Sequence, residues 1–239
     1  KQIPDFFIPL DHLNGAEDGD RVIVKLLKWD ASDKKPIGTV ESIISAKDES
    51  DLAMKEILIE AGFPIGFEDE IFKEVTKLSG DITRAELSKR KDFRDILTFT
   101  IDPVDAKDFD DAISIRNMDN GNYEIGVHIA DVSHFVKPGS LLDQEAYNRA
   151  TSVYLPDRVN PMLPEKISNE LCSLRPNEDK FTFSAVFQIT NRAEIKHKWV
   201  GRTIIHSNHR FTYEEVQEII ETKLGIFQEE ILLLKKQMN

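Results

Sequence analysis

Cysteine is nearly absent: Cys172 is the only one in 239 residues. A single thiol excludes an intramolecular disulfide and a multi-cysteine zinc site, and without a catalytic partner it reads as a buried apolar side chain. Long apolar runs are also missing. Nothing approaches the roughly 18 residues of a membrane helix, and no basic segment leads into an apolar stretch as in a signal peptide. A cytoplasmic protein with no membrane partner, acting as a monomer, is therefore expected. Positive charge is scarce, with 31 Lys and Arg against 43 Asp and Glu and a net charge of -12. Taken alone, that balance argues against a surface that holds nucleic acid by bulk charge.

What is present suffices for one large domain or a domain plus a smaller module, since 40% of the residues are hydrophobic. The chain opens on Lys1-Gln-Ile-Pro4 and closes on Gln237-Met-Asn239 inside a helical pattern, so both ends read as cut. Residues 1–45 read as strands and turns. Phe6-Phe-Ile8, Arg21 to Trp29 and Ile37 to Ile44 are the strand candidates, with a polar turn from Asp30 to Pro36. Three short strands are too few for a closed barrel and suggest the tail of a small all-β module. The period then changes. Leu52, Met54, Ile57, Leu58 and Ala61 recur at helical spacing and Gly62 ends the run, while a second helix is expected from Glu68 to Leu78. Residues 81–94 are polar and suit a connector.

From Ile96 onward, strand, acidic loop and strand (Ala112–Ile115) follow one another. Asn117 to Gly121 forms a hairpin turn, and Tyr123–Ala130 returns. A helix is expected over 139–150, an extended loop with three prolines over 154–164, and strands over 181–190 and 194–204. Thr212 with Glu215 three residues on forms a capping box, and Phe227–Met238 has the pattern of an amphipathic helix. Hairpins interleaved with helices make the larger part α+β, with a mixed or antiparallel sheet and flanking helices.

The densest chemistry lies in Thr100–Ile115, where Asp102, Asp105, Asp108, Asp110 and Asp111 fall within ten positions bounded by apolar strand residues. Two unit charges about 4 Å apart at an effective dielectric near 20 repel by roughly 4 kcal/mol, so crowded carboxylates either protonate or recruit a cation. Pro103 bends the chain after Asp102, which allows Asp108, Asp110 and Asp111 to approach it. An EF-hand is excluded: counting from Asp102, the run has Val104, Ala106 and Lys107 where two ligands and a glycine are required. Hard oxygen donors without histidine or thiol favour Mg²⁺ or Mn²⁺ over zinc. A metal-dependent phosphodiesterase or phosphatase fits, since such ions activate water for attack on phosphorus. A solvated acidic turn is the plainer alternative. The flanking strands and the internal Phe109 weigh against it.

The string Thr100-Ile-Asp-Pro-Val-Asp-Ala-Lys-Asp-Phe-Asp-Asp-Ala-Ile113 resembles the catalytic signature of the ribonuclease II/R (RNB) family of 3′-to-5′ exoribonucleases. Val127–His134, Ser152–Pro156, Pro161–Pro164 and Leu171–Leu174 agree in order and spacing, Arg210–Tyr213 more weakly, and the pattern is most similar to the bacterial ribonuclease R branch. The resemblance implies Mg²⁺-dependent release of nucleoside 5′-monophosphates from the 3′ end of single-stranded RNA, with Mn²⁺ as a possible substitute. It assigns Asp102, Asp108, Asp110 and Asp111 to the metal-binding and catalytic set, with Asp110 the most critical for hydrolysis, and leaves Asp105 as a helper or as surface. Tyr154 matches the aromatic that stacks on the terminal base, and Tyr213 loosely matches a ribose contact.

The remaining candidates read more plainly. His128 and His134 are expected to support the core, Glu214 and Glu215 to favour a helix dipole, and Phe6, Phe7 and Trp29 to pack inside the small β module. Asp5-Phe-Phe-Ile-Pro9 and Gly15 to Val24 resemble the family's second cold-shock OB domain. The implied organisation is a partial OB module over 1–48, a helical connector over 49–92 and an RNB catalytic domain over 93–239, truncated at its C-terminal side. The family's Arg-rich segment and basic C-terminal OB domain do not occur, so the 239 residues alone are expected to be weakly active or inactive. A non-catalytic RNA-binding module is the alternative from another class.

Overall fold

The computed structural model describes residues 5–30, 35–47 and 49–238, which divide into two compact units. One comprises residues 1–66 with 155–158 and the other residues 67–154 with 159–239.

In the first unit, β1 (Val22–Lys28) and β2 (Ile37–Ile43) pair antiparallel, with Val24 opposite Val40. Val40 and Leu58 of α1 (Glu49–Glu60) are buried. Gly62, at φ +82°, ends α1 as its sequence position suggested. Asp51 accepts hydrogen bonds from the Lys47 N–H, Lys55 and Arg158, which ties residues 155–158 into this unit. Two expectations fail. Phe6-Phe-Ile8 contributes only a single bridge, Phe7 to Ile37, and Phe7 and Trp29 are more than half exposed rather than packed inside. A sheet of two strands has too little covered face to enclose them. Positions 31–34 of the expected polar turn lie outside the described residues.

The second unit is built on a seven-stranded mixed sheet. Its strands are β3 (Lys91–Phe93), β4 (Thr98–Asp102), β5 (Asp111–Asn117) and β6 (Tyr123–Ala130), then, after a small ribbon of β7 (Val153–Tyr154) and β8 (Val159–Asn160), β9 (Asp179–Ile189), β10 (Ile195–His206) and β11 (His209–Thr212). The spatial order is β11-β4-β5-β6-β9-β10-β3. The two edge strands run parallel to their neighbours and every other pair is antiparallel.

Period-two alternation along β5 sends Ala112 to one face and Ile115 to the other. Ala112 joins a core with Phe181, Ile204, α2 (Asp69–Thr76) and α5 (Leu141–Arg149). Ile115 joins a second core with Phe99, Phe211, α6 (Tyr213–Thr222) and α7 (Gln228–Met238). The capping box of α6 forms as expected: the Glu215 N–H donates to the Thr212 hydroxyl, and the Glu215 carboxylate accepts the Thr212 N–H. The connector over 81–94 is more structured than its polarity implies. It holds a short helical turn, Arg84–Leu87, and edge strand β3, whose register comes entirely from β10.

A polar seam crosses four strands inside this apolar setting. His128, fully buried, bonds Ser184 Oγ through Nδ1 at 2.6 Å and Ser114 Oγ through Nε2 at 2.8 Å. Ser184 in turn meets Thr203, which bonds Thr182 at 2.6 Å. Gly126, opposite Ser114, makes the room: a Cβ there would fall 2.5 Å from both His128 Nε2 and Ser114 Oγ. Burial pushes the His128 pKa down from 6.5 to about 4. Between those values the unfolded chain takes up a proton that the folded chain refuses, so stability falls as pH drops through this window, by on the order of 3 kcal/mol in full. His128→Gln should flatten that part of the urea-midpoint against pH curve relative to wild type. An unchanged slope would show that His128 titrates normally.

Candidate active site

The acidic loop begins where β4 loses one of its two neighbours. It pairs with β5 only at Thr98 and Phe99, whereas all of His209–Thr212 in β11 runs alongside Phe99–Asp102. The β4 and β5 ends therefore separate, and residues 103–110 form an irregular loop between them. Asp102 is the last residue of β4 and Asp111 the first of β5, so two of the carboxylates stand on rigid elements and two, Asp108 and Asp110, on the loop.

Asp102 is buried, Asp108 half-buried, and Asp110 and Asp111 are exposed. The charges feel one another. Partial burial, and then the charges of Asp108, Asp111 and Asp102, push the Asp110 pKa above the ordinary carboxylate value. Burial likewise raises that of Asp102, opposed by a hydrogen bond from Thr100 and the charge of Arg210, with Asp111 and Asp108 adding to the shift. The structure thus brings Asp102, Asp108, Asp110 and Asp111 into one electrostatic cluster. Asp105 lies exposed in a turn.

The loop is held to the core as Phe109 suggested, its ring packing against the core of Phe181 and Ile204. Two residues given no role by the sequence complete the arrangement. Ser173 Oγ accepts the Phe109 N–H at 3.0 Å, and Arg210 donates to the Pro103 carbonyl while its guanidinium stands 5.4 Å from the Phe109 ring centre. Both fall inside quoted segments, Leu171–Leu174 and Arg210–Tyr213. That was the only available signal, because their contacts bridge 64 and 107 positions.

Among the described residues, no three His, Cys, Asp or Glu side chains converge as a closed metal cage. The donors nevertheless suit a hard cation. Asp102 Oδ2 is buried and, the nearby Thr100 hydroxyl apart, meets no donor among the described residues, and a buried ionised oxygen is costly unless a cation meets it. Mg²⁺ commonly retains several waters and uses one or two carboxylates plus substrate phosphates, so a closed cage is not required. Asp102 with Asp108, Asp110 and Asp111 could hold such an ion.

The other candidates sort clearly. Tyr154 is 71% exposed on the β7–β8 ribbon, available for stacking, and Tyr213 is exposed at the first turn of α6. Asp131 pairs with buried Arg90 at 2.7 Å, and although burial opposes it, Ser133 and Arg90 hold its carboxyl below the usual range. His134 lies against Arg90 and the Phe181 ring. Both histidines therefore belong to the core, as the plain reading expected. The Cys172 thiol is buried and pushed up to about 12, which makes it inert.

Residues 90–236 match the RNB domain family and residues 1–68 the cold shock domain family. Ribonuclease R of Thermotoga maritima is 40% identical over 219 residues, which is 91% of this chain but 31% of that protein. The structure of Mycoplasma genitalium RNase R in complex with double-stranded RNA superposes with a TM-score of 0.79 at 27% identity, over 97% of this chain and 41% of that one. Yeast Ssd1, a pseudonuclease, shares the fold with a TM-score of 0.67 at 23% identity, over 92% of this chain and 29% of its own. The chain thus spans about a third of the length of the curated relatives it matches.

Since like charges crowd Asp110, its neutralisation should relieve the metal-free fold. In EDTA at pH 7, Asp110→Asn is expected to raise the melting temperature slightly, by less than about 1 kcal/mol of stability after solvent screening. The gain should vanish near pH 3, where the wild-type carboxyl is itself protonated. A lower melting temperature at pH 7 would contradict the crowding.

Proposed function

Because the chain belongs to the RNB domain family, we propose that the protein of which these residues form part is a hydrolytic exoribonuclease. It removes nucleoside 5′-monophosphates from the 3′ end of single-stranded RNA with Mg²⁺, for which Mn²⁺ can substitute. The observation that carries this reading is the cluster of four aspartates where β4 and β5 part, with the buried Asp102 carboxyl in no ion pair among the described residues.

In this reading Asp102, Asp108 and Asp111 bind the cation together with Asp110, and Asp110 orients the attacking water and accepts its proton. Magnesium bound there supplies Lewis acidity toward the water and the leaving oxygen. Tyr154 offers its exposed ring to the terminal base, a contact that tolerates any sequence because every base has a π-face. The net charge of -12 argues against retention of RNA by bulk charge on these residues alone. Residues 1–239 alone are accordingly proposed to hydrolyse RNA weakly or not at all.

A non-catalytic role is the rival reading, since the pseudonuclease Ssd1 shares the fold. It leaves the acidic cluster without a purpose. The two separate in the full-length protein, assayed on a 3′-extended single-stranded RNA. Wild type should release monophosphates in Mg²⁺ and stop in EDTA, and Asp110→Asn should lose about a hundredfold or more in rate while still retaining RNA. Tyr154→Ala should weaken RNA binding by roughly tenfold, the worth of one stacked base. Absence of hydrolysis by the wild-type protein, with RNA binding intact, would favour the binding module.

A further inference from the structure

Segment 103–110 has no regular secondary structure, yet five hydrogen bonds anchor its backbone at four residues. Arg210 Nη2 donates to the Pro103 carbonyl. Ser173 Oγ accepts the Phe109 N–H at 3.0 Å and reaches the Lys107 carbonyl at 3.4 Å. The Leu174 N–H donates to the Phe109 carbonyl at 2.8 Å, and the Ala130 N–H to that of Asp110 at 2.9 Å. Phe109 is thus held by both of its backbone groups, and Asp108 and Asp110 are its immediate neighbours.

Ser173 is fully buried and follows a π-helical turn, Lys166–Leu171, a distortion found frequently at functional sites. Arg210 reaches the loop from β11, the strand that stays paired with β4 as far as Asp102. Its hydrogen bond goes to the Pro103 carbonyl rather than to one of the four carboxylates, and its Nε is buried without a partner among the described residues. An arginine paired directly with Asp102 would compete with a cation. Placed as it is, Arg210 secures the first turn of the loop and leaves the carboxylate oxygens free.

We propose that Ser173 and Arg210 are positioning residues for the carboxylate loop: by gripping Phe109 and Pro103 they fix the separation of Asp108, Asp110 and Asp102. This rests on the exoribonuclease reading above. The physical need is clear, because mutually repelling carboxylates on an unanchored loop spread apart and present no fixed donor set to an ion.

The test uses the full-length protein and the variants Ser173→Ala, Arg210→Ala and Arg210→Lys. Mn²⁺ binding without RNA is followed by calorimetry, kcat and KM are measured on single-stranded RNA, and urea midpoints report folding. Both alanine variants should bind Mn²⁺ about tenfold more weakly and lose a similar factor in kcat, with KM within about twofold of wild type. Arg210→Lys, which keeps the charge but not the planar fork, should remain impaired. Wild-type Mn²⁺ affinity and kcat in folded Ser173→Ala and Arg210→Lys would overturn the proposal, as would a loss that disappears on cooling well below the unfolding temperature. If wild type hydrolyses no RNA, the nuclease reading fails, while the Mn²⁺ affinities still decide whether the loop is positioned by these two side chains.

Discussion

The loss of β5 as a partner partway along β4 is the constraint from which the rest of the second unit's chemistry follows. Two residues of pairing with β5 anchor the strand in the sheet, and the parallel run along β11, on its other edge, continues alone to Asp102. A tight hairpin between β4 and β5 would alternate Asp110 and Asp111 onto opposite faces. Separated strand ends instead allow a loop that leaves the pleat, so consecutive aspartates can serve one cluster. The cost is a knot of partly buried like charge: burial first, and then mutual repulsion, raise the pKa of Asp102 and Asp110.

Rigidity and repulsion are balanced by apolar packing. Phe109 lays a half-buried aromatic ring against the core from the middle of the acidic segment, a burial worth on the order of 1 kcal/mol. On the same side of the sheet, the His128 seam supplies cross-strand hydrogen bonds that fix register where apolar side chains alone would tolerate a slip. Arg90, paired with Asp131 and seated 4.5 Å over the Phe181 ring, closes the core beside it.

Much of this was legible from the sequence where the signal is local. The capping box at Thr212, the stop at Gly62 and the hairpin ending at Gly121 are each written within four or five residues, and each formed. The aspartate cluster was legible because charge density needs no fold to be noticed. Edge strands β3 and β11, with three and four residues, are too short to show periodicity, and their pairing is dictated by distant neighbours. Ser173 and Arg210 were missed for the same reason: a hydrogen bond to a backbone atom far along the chain leaves no local pattern. Phe7 and Trp29 show the opposite error, since aromatic residues in a strand pattern are not buried when the sheet is only two strands wide.

The parallel edges also bear on the order of assembly. Hairpins β5–β6 and β9–β10 join near neighbours, whereas β11 must find β4, and β10 must find β3, across roughly 110 residues of chain, a closure that is slow and costly in entropy. Since Phe99–Asp102 is held along β11, the start of the acidic loop is fixed only once that long-range pairing has formed. A nascent or partly unfolded chain would then carry the aspartates without the arrangement, and the capacity for chemistry would arrive only with the finished sheet.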